Sequence, residues 1–341
     1  IKDAESLEIA NKIKVAIFDK TGTLTEGKPR VTDVISVHRV KKSNERTNDL
    51  QTNRILQIAA SLEKGSEHAL GEAILEKAKK EGLALSAVEG FKAIAGYGIE
   101  GKIESYRYVL GNRALMKREN VDFKFAEKDI VELESDGKTV VFLAHEYNLL
   151  GLIAIADTLK EGVKEVIKRL SGRGVETWMI TGDNERTAKA IARQSGIKNV
   201  LAEILPDQKA QKVKEFKEKH GQTVAFLGDG INDAPALAAS DVGIAMGTGT
   251  DVAIESAGIT LLNRDIRSIL TAFNLSRATL SVIKQNLFWA FGYNIILIPV
   301  AMGVLYPFMG WLLNPALAAF AMAASSISVV TNSLRLKQIK I

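Results

Sequence analysis

An apolar run near the start of the chain delivers one carboxylate into a turn rich in glycine and threonine. Together they read IKVAIFDKTGTLT over residues 13–25, with Asp19 at the junction. The run predicts a buried strand of a parallel sheet, and in open α/β sheets ligands collect at the carboxyl ends of such strands. Gly22 lets the turn fold back so that backbone N–H groups face an anion, while Thr21 and Thr23 add hydroxyl donors. An isolated aspartate here is more often a turn or cap residue, but in this setting we expect a carboxylate nucleophile that attacks a phosphate.

Three later segments place further polar groups after predicted strands. Thr181 in MITGD can donate a hydroxyl to phosphoryl oxygens, and Lys209 in LPDQK can neutralise their charge. The segment GDGIND supplies two carboxylates, Asp229 and Asp233, with Asn232 as a polar partner. Each residue alone has an ordinary explanation as a cap, turn or surface residue. Their order and shared placement at strand ends predict one site for phosphoryl transfer.

A magnesium ion fits this predicted site. Mg²⁺ takes few protein carboxylates and leaves positions for water and phosphate, which suits Asp19 and Asp229, with Thr21 beside them. We therefore expect these three residues to hold Mg²⁺.

The composition excludes several classes of protein. The 341 residues suggest two or three units, and 46% hydrophobic with 25% charged residues is the composition of a folded chain. The net charge of +5 is small, and no basic stripe interleaved with aromatics is present, so we expect no nucleic-acid partner. The chain has no cysteine, which excludes disulfides and thiolate metal sites within it.

Alternating apolar runs and helical patterns predict an α/β fold. The runs of the second half lie at 152–156, 175–180, 201–205 and 223–227. Repeated β-then-α units predict a doubly wound parallel sheet, whose first strand ends in Asp19 and whose series resumes with the strand before Asp157. Short strands and a few helices over 32–148 predict a separate α+β domain, inserted after the first strand.

The end of the chain is apolar. Residues 285–334 contain no Asp, Glu, Lys, Arg or His, a gap of fifty residues that fits two bilayer crossings at 285–305 and 312–334. Basic residues flank both outer ends, so the positive-inside tendency predicts cytoplasmic ends and an outer loop at 306–311. A buried soluble helical hairpin is the alternative.

Polar and soft groups interrupt the two apolar segments. Tyr293 and Asn294 lie in the first, and Met322 and Ser326, four residues apart on one helix face, lie in the second. A thioether suits a soft ion such as Cu(I), and no carboxylate or lysine is present to favour a hard ion. Generic packing explains small residues and one methionine about equally well.

The motifs resemble those of a known family. DKTGT is the phosphorylation signature of the P-type ATPases, and with the later strand ends the chain resembles their haloacid-dehalogenase-like core. Phosphatases of that superfamily carry a second aspartate where this chain has Thr21, so the resemblance implies a persistent aspartyl phosphate. It also implies that the inserted domain binds ATP through Glu63, His68, Gly96 and Gly98, although Ala69 stands where the family has proline.

The tail is similar to the last membrane helices of copper-exporting heavy-metal ATPases. This resemblance implies Cu(I) as transported ion, a copper chaperone that delivers it, lipid contact, a cell-membrane location with cytoplasmic catalytic domains, and a missing N-terminal part with an actuator domain and a Cys-Pro-Cys helix. We expect such a chain to bind ATP and accept phosphate without pumping. The alternatives are export of Ag(I), Zn(II) or Cd(II), a membrane-anchored phosphatase, and a non-catalytic nucleotide-binding regulator.

The resemblance implies a division of the chain into segments with distinct roles. These are a stalk end at 1–11, the phosphorylation domain at 12–31 and 149–265, the nucleotide-binding domain at 32–148, a linking helix at 266–284, the crossings and outer loop given above, and a cytoplasmic tail at 335–341.

Overall fold

The computed structural model describes residues 1–37, 45–66, 68–229, 233–247, 251–304, 306–310 and 315–338. The chain forms two compact units. One comprises Ile13–Arg267, and the other comprises Ile1–Lys12 together with Ser268–Ile341.

The larger unit contains the strands. They are β1 Val15–Asp19, β2 Arg30–Ser36, β3 Glu89–Ile94, β4 Gly98–Ile103, β5 Tyr106–Gly111, β6 Thr139–His145, β7 Asn148–Ala156, β8 Glu176–Ile180, β9 Asn199–Leu201, β10 Val224–Gly228, β11 Val242–Met246 and β12 Ile259–Leu261. The helices of the chain are α1 Ala4–Lys12, α2 Glu45–Glu63, α3 Ala69–Lys80, α4 Arg113–Arg118, α5 Glu127–Ser135, α6 Val163–Gly172, α7 Glu185–Ser195, α8 Lys209–His220, α9 Ala234–Ala239, α10 Asp251–Ser256, α11 Ser268–Ala301, α12 Tyr306–Met309 and α13 Pro315–Leu334.

One sheet, termed here the core sheet, is parallel and has the order β12-β11-β10-β1-β8-β9. Its central strand β1 is buried along its whole length, because Val15–Asp19 is apolar up to its last residue. Side chains of α8 and α9 pack against alternate residues of β1 and β10. The chain runs outward from β1 through β8 and β9, then returns to β10 on the other side. The predicted doubly wound parallel sheet is confirmed, and its strand order reverses between β1 and β10.

The second sheet, termed the insert sheet, is antiparallel and has the order β2-β7-β6-β5-β4-β3. Alternate strand residues face opposite sides, as the two-residue period of a strand requires. One side packs against α2 and α3, and the other packs against α4 and α5. The insert is therefore α+β, as predicted. The strand before Asp157, however, is β7, which pairs with β2 and β6 in the insert sheet rather than in the core sheet.

The smaller unit is helical. Ser276 of α11 donates a hydrogen bond to the Leu7 carbonyl of α1, and Asn286 of α11 bonds Ser333 of α13 at 2.9 Å. Helix α11 continues unbroken through residue 285, where the sequence predicted a boundary between a linking helix and a membrane crossing. Among the residues described, no helix is long and apolar enough to span a bilayer, so the two predicted crossings are not found there.

The insert sheet allows a test of a backbone constraint at Gly98. This residue has φ +151°, and a Cβ there would lie 2.2 Å from the Leu110 carbonyl oxygen. We expect Gly98→Ala to destabilise the insert by roughly 1–3 kcal/mol from backbone strain, with the clash adding to that. Urea unfolding followed by hydrogen exchange of the β4 and β5 amides measures the effect.

Gly82→Ala is the matched control, because Gly82 also has positive φ, at +67°, but has nothing within 4 Å of its Cβ position. It should cost only about 1 kcal/mol. Equal losses in the two variants would contradict the close-approach explanation.

Candidate functional site

The site lies where the core sheet reverses its strand order. Asp19 ends β1 and pairs in register with Ile180, the last residue of β8. On the other side, β1 pairs with β10, whose last residue, Gly228, precedes Asp229. Because all these strands are parallel, their carboxyl ends meet at one edge and bring distant segments together.

A buried lysine joins two of the predicted carboxylates. Lys209, at the start of α8, donates hydrogen bonds of 2.7 Å to Asp19 Oδ1 and to Asp233 Oδ1. Ligand oxygens of Asp19, Asp229 and Asp233 all lie within 4.8 Å of one another. The structure therefore brings together four of the residues predicted from separate motifs. Asn232, the remaining polar residue of that set, lies outside the described residues.

The ionisation of this cluster reflects burial and crowding of like charges. Burial and the neighbouring Asp233 raise the pKa of Asp19 to about 7, against the attraction of Lys209. Burial and Asp233 also raise the pKa of Asp229 to about 6. Although burial opposes it, the carboxylates of Asp19 and Asp233 raise the pKa of Lys209 to about 12. Asp19 and Asp233 thus share the Lys209 ammonium, while both Lys160 and Lys209 attract Asp229. Such a carboxylate-rich donor set suits an added hard cation.

The turn after β1 packs closely against this cluster. Gly22 has φ +71°, and a Cβ there would lie 1.7 Å from Asp229 Oδ2, so only glycine fits. Thr21 is exposed beside it and has the extended backbone angles φ −74° and ψ 127°. The threonine predicted as an additional ligand therefore faces solvent at the edge of the carboxylates.

Two residues that contact this segment, Lys160 and Asp157, were not identified as site residues from the sequence. The Lys160 ammonium is buried and donates to the Gly22 carbonyl, and burial lowers its pKa. Asp157 accepts hydrogen bonds from the Thr25 hydroxyl at 2.6 Å and from the Gly27 amide at 3.1 Å. The available signal was the spacing of Asp157 and Lys160 directly after an apolar strand, a position equivalent to those that were singled out.

Thr181 and Asp183, which follow β8, form a further part of the site. Thr181 is buried, and its hydroxyl lies 3.2 Å from Asp183 Oδ2 and accepts from the Asp183 amide. Lys20, next to the predicted nucleophile, donates to Asp183 Oδ2 at 2.5 Å. Although burial opposes ionisation, Lys20 and hydrogen bonds from Thr139 and Thr181 lower the pKa of Asp183. Sequence reasoning named Thr181 but missed the Lys20–Asp183 pair.

The residues predicted to bind nucleotide lie around two turns of the insert. Glu63 ends α2, is buried, and has an Oε2 atom with no hydrogen-bond partner among the described residues. Burial raises the pKa of this carboxyl. Gly71 of α3 packs beneath it, since a Cβ there would lie 2.3 Å from Glu63 Oε2. His68 is exposed and caps α3, where its Nδ1 accepts from the Leu70 amide at 3.2 Å, so Ala69 begins the helix without proline.

The predicted Gly-x-Gly turn joins β3 to β4. Gly96 has φ +76°, and its carbonyl accepts from the Asn112 side chain at 2.8 Å. The need for glycine at Gly98 comes from the approach of the β5 backbone described above, which is a structural reason distinct from ligand contact. Farther along β4, Gly101 packs against Leu62, which precedes Glu63. This contact joins β4 to the end of α2.

In the smaller unit, the predicted metal ligands form hydrogen bonds within their own helix or to Ser328. The Tyr293 hydroxyl lies 3.4 Å from Ser328 Oγ, and Asn294 donates to the Ala290 carbonyl of its own helix. Ser326 donates to the Met322 carbonyl, and Met322 is 71% exposed. The structure brings α11 and α13 together beside these residues but shows no bond that links the two pairs among the residues described.

The raised pKa of Asp19 predicts a pH-dependent stability. The folded chain holds this proton more tightly than the unfolded chain, whose pKa is near 3.8, so the free energy of unfolding falls as pH rises from about 4 to about 7. Asp19→Asn removes this contribution, so its stability relative to the unmodified chain should increase across that window and level off above it. Urea unfolding at several pH values, without divalent ions, measures the difference. Asp207→Asn, at an exposed aspartate, is the control variant, and a flat difference for Asp19→Asn would contradict the prediction.

Comparison with known proteins agrees with this geometry. A family model for haloacid dehalogenase-like hydrolases matches residues 13–241. The chain is 49% identical over 338 residues to a probable copper-transporting ATPase, PacS, of Synechococcus elongatus, and 47% identical over 339 residues to a copper-exporting P-type ATPase of Legionella pneumophila. Each of these two alignments covers 99% of this chain and 44% of the relative. A silver exporting P-type ATPase of Salmonella typhimurium is 46% identical over the whole chain and 40% of its own length. The chain thus spans less than half of these relatives.

Two solved structures that match this chain are also of ATPases. A zinc-transporting PIB-type ATPase in the E2.Pi state matches with a TM-score of 0.67 and 35% identity, over 97% of this chain and 51% of that one. The catalytic CPx-ATPase domain CopB-B matches with a TM-score of 0.59 and 28% identity, over 80% and 93% respectively. The chain therefore belongs to the haloacid dehalogenase-like hydrolase family, and over nearly its whole length it is similar to heavy-metal-transporting P-type ATPases.

Proposed function

We propose that Asp19 accepts the γ-phosphoryl group of ATP as the catalytic step of a metal-exporting ATPase. The observation that carries this proposal is the buried Lys209 bridge between Asp19 and Asp233, with Asp229 beside it at the switch point of the core sheet. The Asp19 carboxylate oxygen bonds to the γ-phosphorus, the bond from that phosphorus to the β–γ bridging oxygen breaks, and ADP leaves. Lys209 and the Thr181 hydroxyl offset charge on the transferred group.

Asp19, Thr21 and Asp229 are the proposed holders of Mg²⁺, with Asp233 and Asn232 as polar support. The fit rests on three crowded carboxylates, of which Asp19 and Asp233 share the Lys209 ammonium, while Asp19 and Asp229 have raised pKa values. When bound, Mg²⁺ supplies charge neutralisation for phosphate oxygens. The role of this chain is to hold the carboxylates at the strand ends and to exclude water through burial.

ATP is the proposed ligand of the insert. Glu63, His68, Gly96 and Gly98 are the candidate contacts, through an unpartnered carboxylate oxygen, an exposed imidazole and a glycine turn. Thr21, which occupies the position of a general acid/base in related phosphatases, has no carboxyl group. The aspartyl phosphate should therefore persist long enough for a conformational step.

Cu(I) is the proposed transported ion of the whole protein, with Tyr293, Asn294, Met322 and Ser326 as candidate ligands in the smaller unit. The names of the copper relatives and the soft thioether of Met322 support this choice. Delivery by a copper chaperone, contact with lipid and a cell-membrane location with cytoplasmic catalytic domains belong to the same proposal. Silver export and zinc transport are the second candidates, favoured by the names of a relative and of a matching structure.

A phosphorylation assay tests the catalytic proposal. The chain incubated with γ-labelled ATP and Mg²⁺ should form an acid-stable, hydroxylamine-sensitive phosphoprotein, because an acyl phosphate is cleaved by hydroxylamine. Asp19→Asn should reduce labelling to background, whereas the exposed Asp207→Asn should leave it unchanged. Rapid turnover of small phosphate esters with no trappable label on Asp19 would instead support a phosphatase.

The identity of the ion is tested in a full-length protein that contains this chain. Met322→Leu keeps the size and apolar character of the side chain but removes the thioether, so Cu(I)-stimulated ATP hydrolysis should fall at least tenfold, while phosphorylation of Asp19 from inorganic phosphate remains. Met302→Leu, an exposed methionine beyond the end of α11, is the control. Stimulation by Zn(II) but not by Cu(I) in the unmodified protein would contradict the copper assignment.

A further inference from the structure

The insert is docked onto the core through α5 and the start of β6. Arg186 of α7 in the core lies 3.0 Å from Glu127 Oε1 and 3.1 Å from Glu134 Oε2, both on α5. The Glu134 side chain is 3% exposed, and Arg113 of the insert also contacts it, at 3.3 Å. A buried carboxylate is stable only when it is paired, so Glu134 depends on guanidinium groups from both sides of this contact.

Next to these ion pairs, Thr139 reaches the site itself. Its hydroxyl, at the first residue of β6, donates a 2.9 Å hydrogen bond to Asp183 Oδ1. The other oxygen of the same carboxylate, Oδ2, accepts from Lys20 at 2.5 Å. The Thr187 hydroxyl of α7 donates to the Lys138 carbonyl at 2.9 Å, which fixes the chain just before Thr139. Asp183 is thus shared between the insert and the lysine that follows Asp19.

The nucleotide side of the insert approaches a second loop of the core. A Cβ at Gly96 would lie 3.4 Å from Leu205 Cδ2. Leu205 begins the LPDQK segment that ends in Lys209. Two separate parts of the insert therefore contact the two core loops that contribute Asp183 and Lys209.

We propose that Thr139 is a positioning residue for phosphoryl transfer. In the docked state its hydroxyl orients Asp183, and Asp183 holds Lys20 in place beside the nucleophile. Docking of the insert and alignment of the site are then one event, so the nucleotide is presented only to an ordered Asp19. This inference rests on the proposed function, because it concerns the transfer from ATP to Asp19.

Two phosphoryl donors separate alignment of the site from delivery of the nucleotide, and a serine variant separates both from general damage. Thr139→Val is nearly isosteric and removes the hydroxyl, and Thr139→Ser keeps it. Phosphorylation by Mg-ATP, which needs the insert, should slow about tenfold in Thr139→Val at saturating ATP, as expected for one hydrogen bond to a charged group. Phosphorylation by acetyl phosphate, which the insert need not deliver, should slow by a similar factor because both donors meet the same Lys20 beside Asp19, and Thr139→Ser should restore both rates.

Thr260→Val, on the edge strand β12, is the matched control and should leave both rates unchanged. Hydrogen exchange at the amides of residues 183–187, measured without any donor, should be faster in Thr139→Val than in the unmodified chain or in Thr139→Ser. An unchanged ATP rate in Thr139→Val, a loss confined to ATP, or a loss that Thr139→Ser does not reverse would overturn the proposal.

Failure of the proposed phosphorylation and failure of the role of Thr139 give different results. If neither donor labels the unmodified chain, phosphorylation of Asp19 is refuted. In that case unchanged exchange at residues 183–187 would also overturn the role of Thr139, whereas faster exchange that serine reverses would support its hold on Asp183.

Discussion

The constraint on which the structure depends is the sharing of one buried ammonium by several buried carboxylates. Lys209 contacts Asp19 and Asp233 at 2.7 Å each, and Asp229 adds a third negative group in the same space. Such an arrangement opposes folding, since desolvated like charges repel. The parallel sheet supports it because the main-chain ladder fixes β1 against β10 and β8 whatever side chains follow the strand ends. The resulting crowding of carboxylates favours a bound cation, and this is the chemical property that the proposed function uses.

The second requirement is to connect the insert to the core without disturbing the carboxyl edge of the core sheet. The chain leaves β1 through the Gly22 turn, enters the insert sheet along β2 and returns along its neighbour β7. Because β2 and β7 are adjacent and antiparallel, the two connections start and end close together. Asp157, at the end of β7, bonds the Thr25 hydroxyl and the Lys28 amide, so it ties the outgoing connection to the returning one. Lys160, three residues after Asp157, donates a hydrogen bond to the Gly22 carbonyl and so connects the returning chain to the turn beside the site.

Sequence reasoning succeeded where a residue's position follows from strand direction alone. A carboxylate at the end of a buried parallel strand must reach the common edge, which is why Asp19 and Asp229 could be placed there from separate motifs. It failed where position depends on which sheet a strand joins. An apolar run does not reveal its hydrogen-bonding partners, so the strand before Asp157 was assigned to the core sheet, and both Asp157 and Lys160 were overlooked. Interactions between distant segments, such as Lys20 with Asp183, also have no local signal.

In the smaller unit, composition alone does not predict where the helices begin. The absence of charge over residues 285–334 marks an apolar segment but does not determine where helices begin, and α11 passes residue 285 as one helix. What sets the pairing of α11 with α13 is the small number of polar side chains left in that segment. Asn286 bonds Ser333 and accepts from Asn332, and Tyr293 meets Ser328 two turns along. These half-buried polar groups find partners on the facing helix, and the hydrogen bonds favour one register between the helices. Residues with partners on the opposite helix therefore set the geometry, while Met322, exposed and without a hydrogen-bond partner on that helix among the residues described, retains a thioether for soft-ion chemistry.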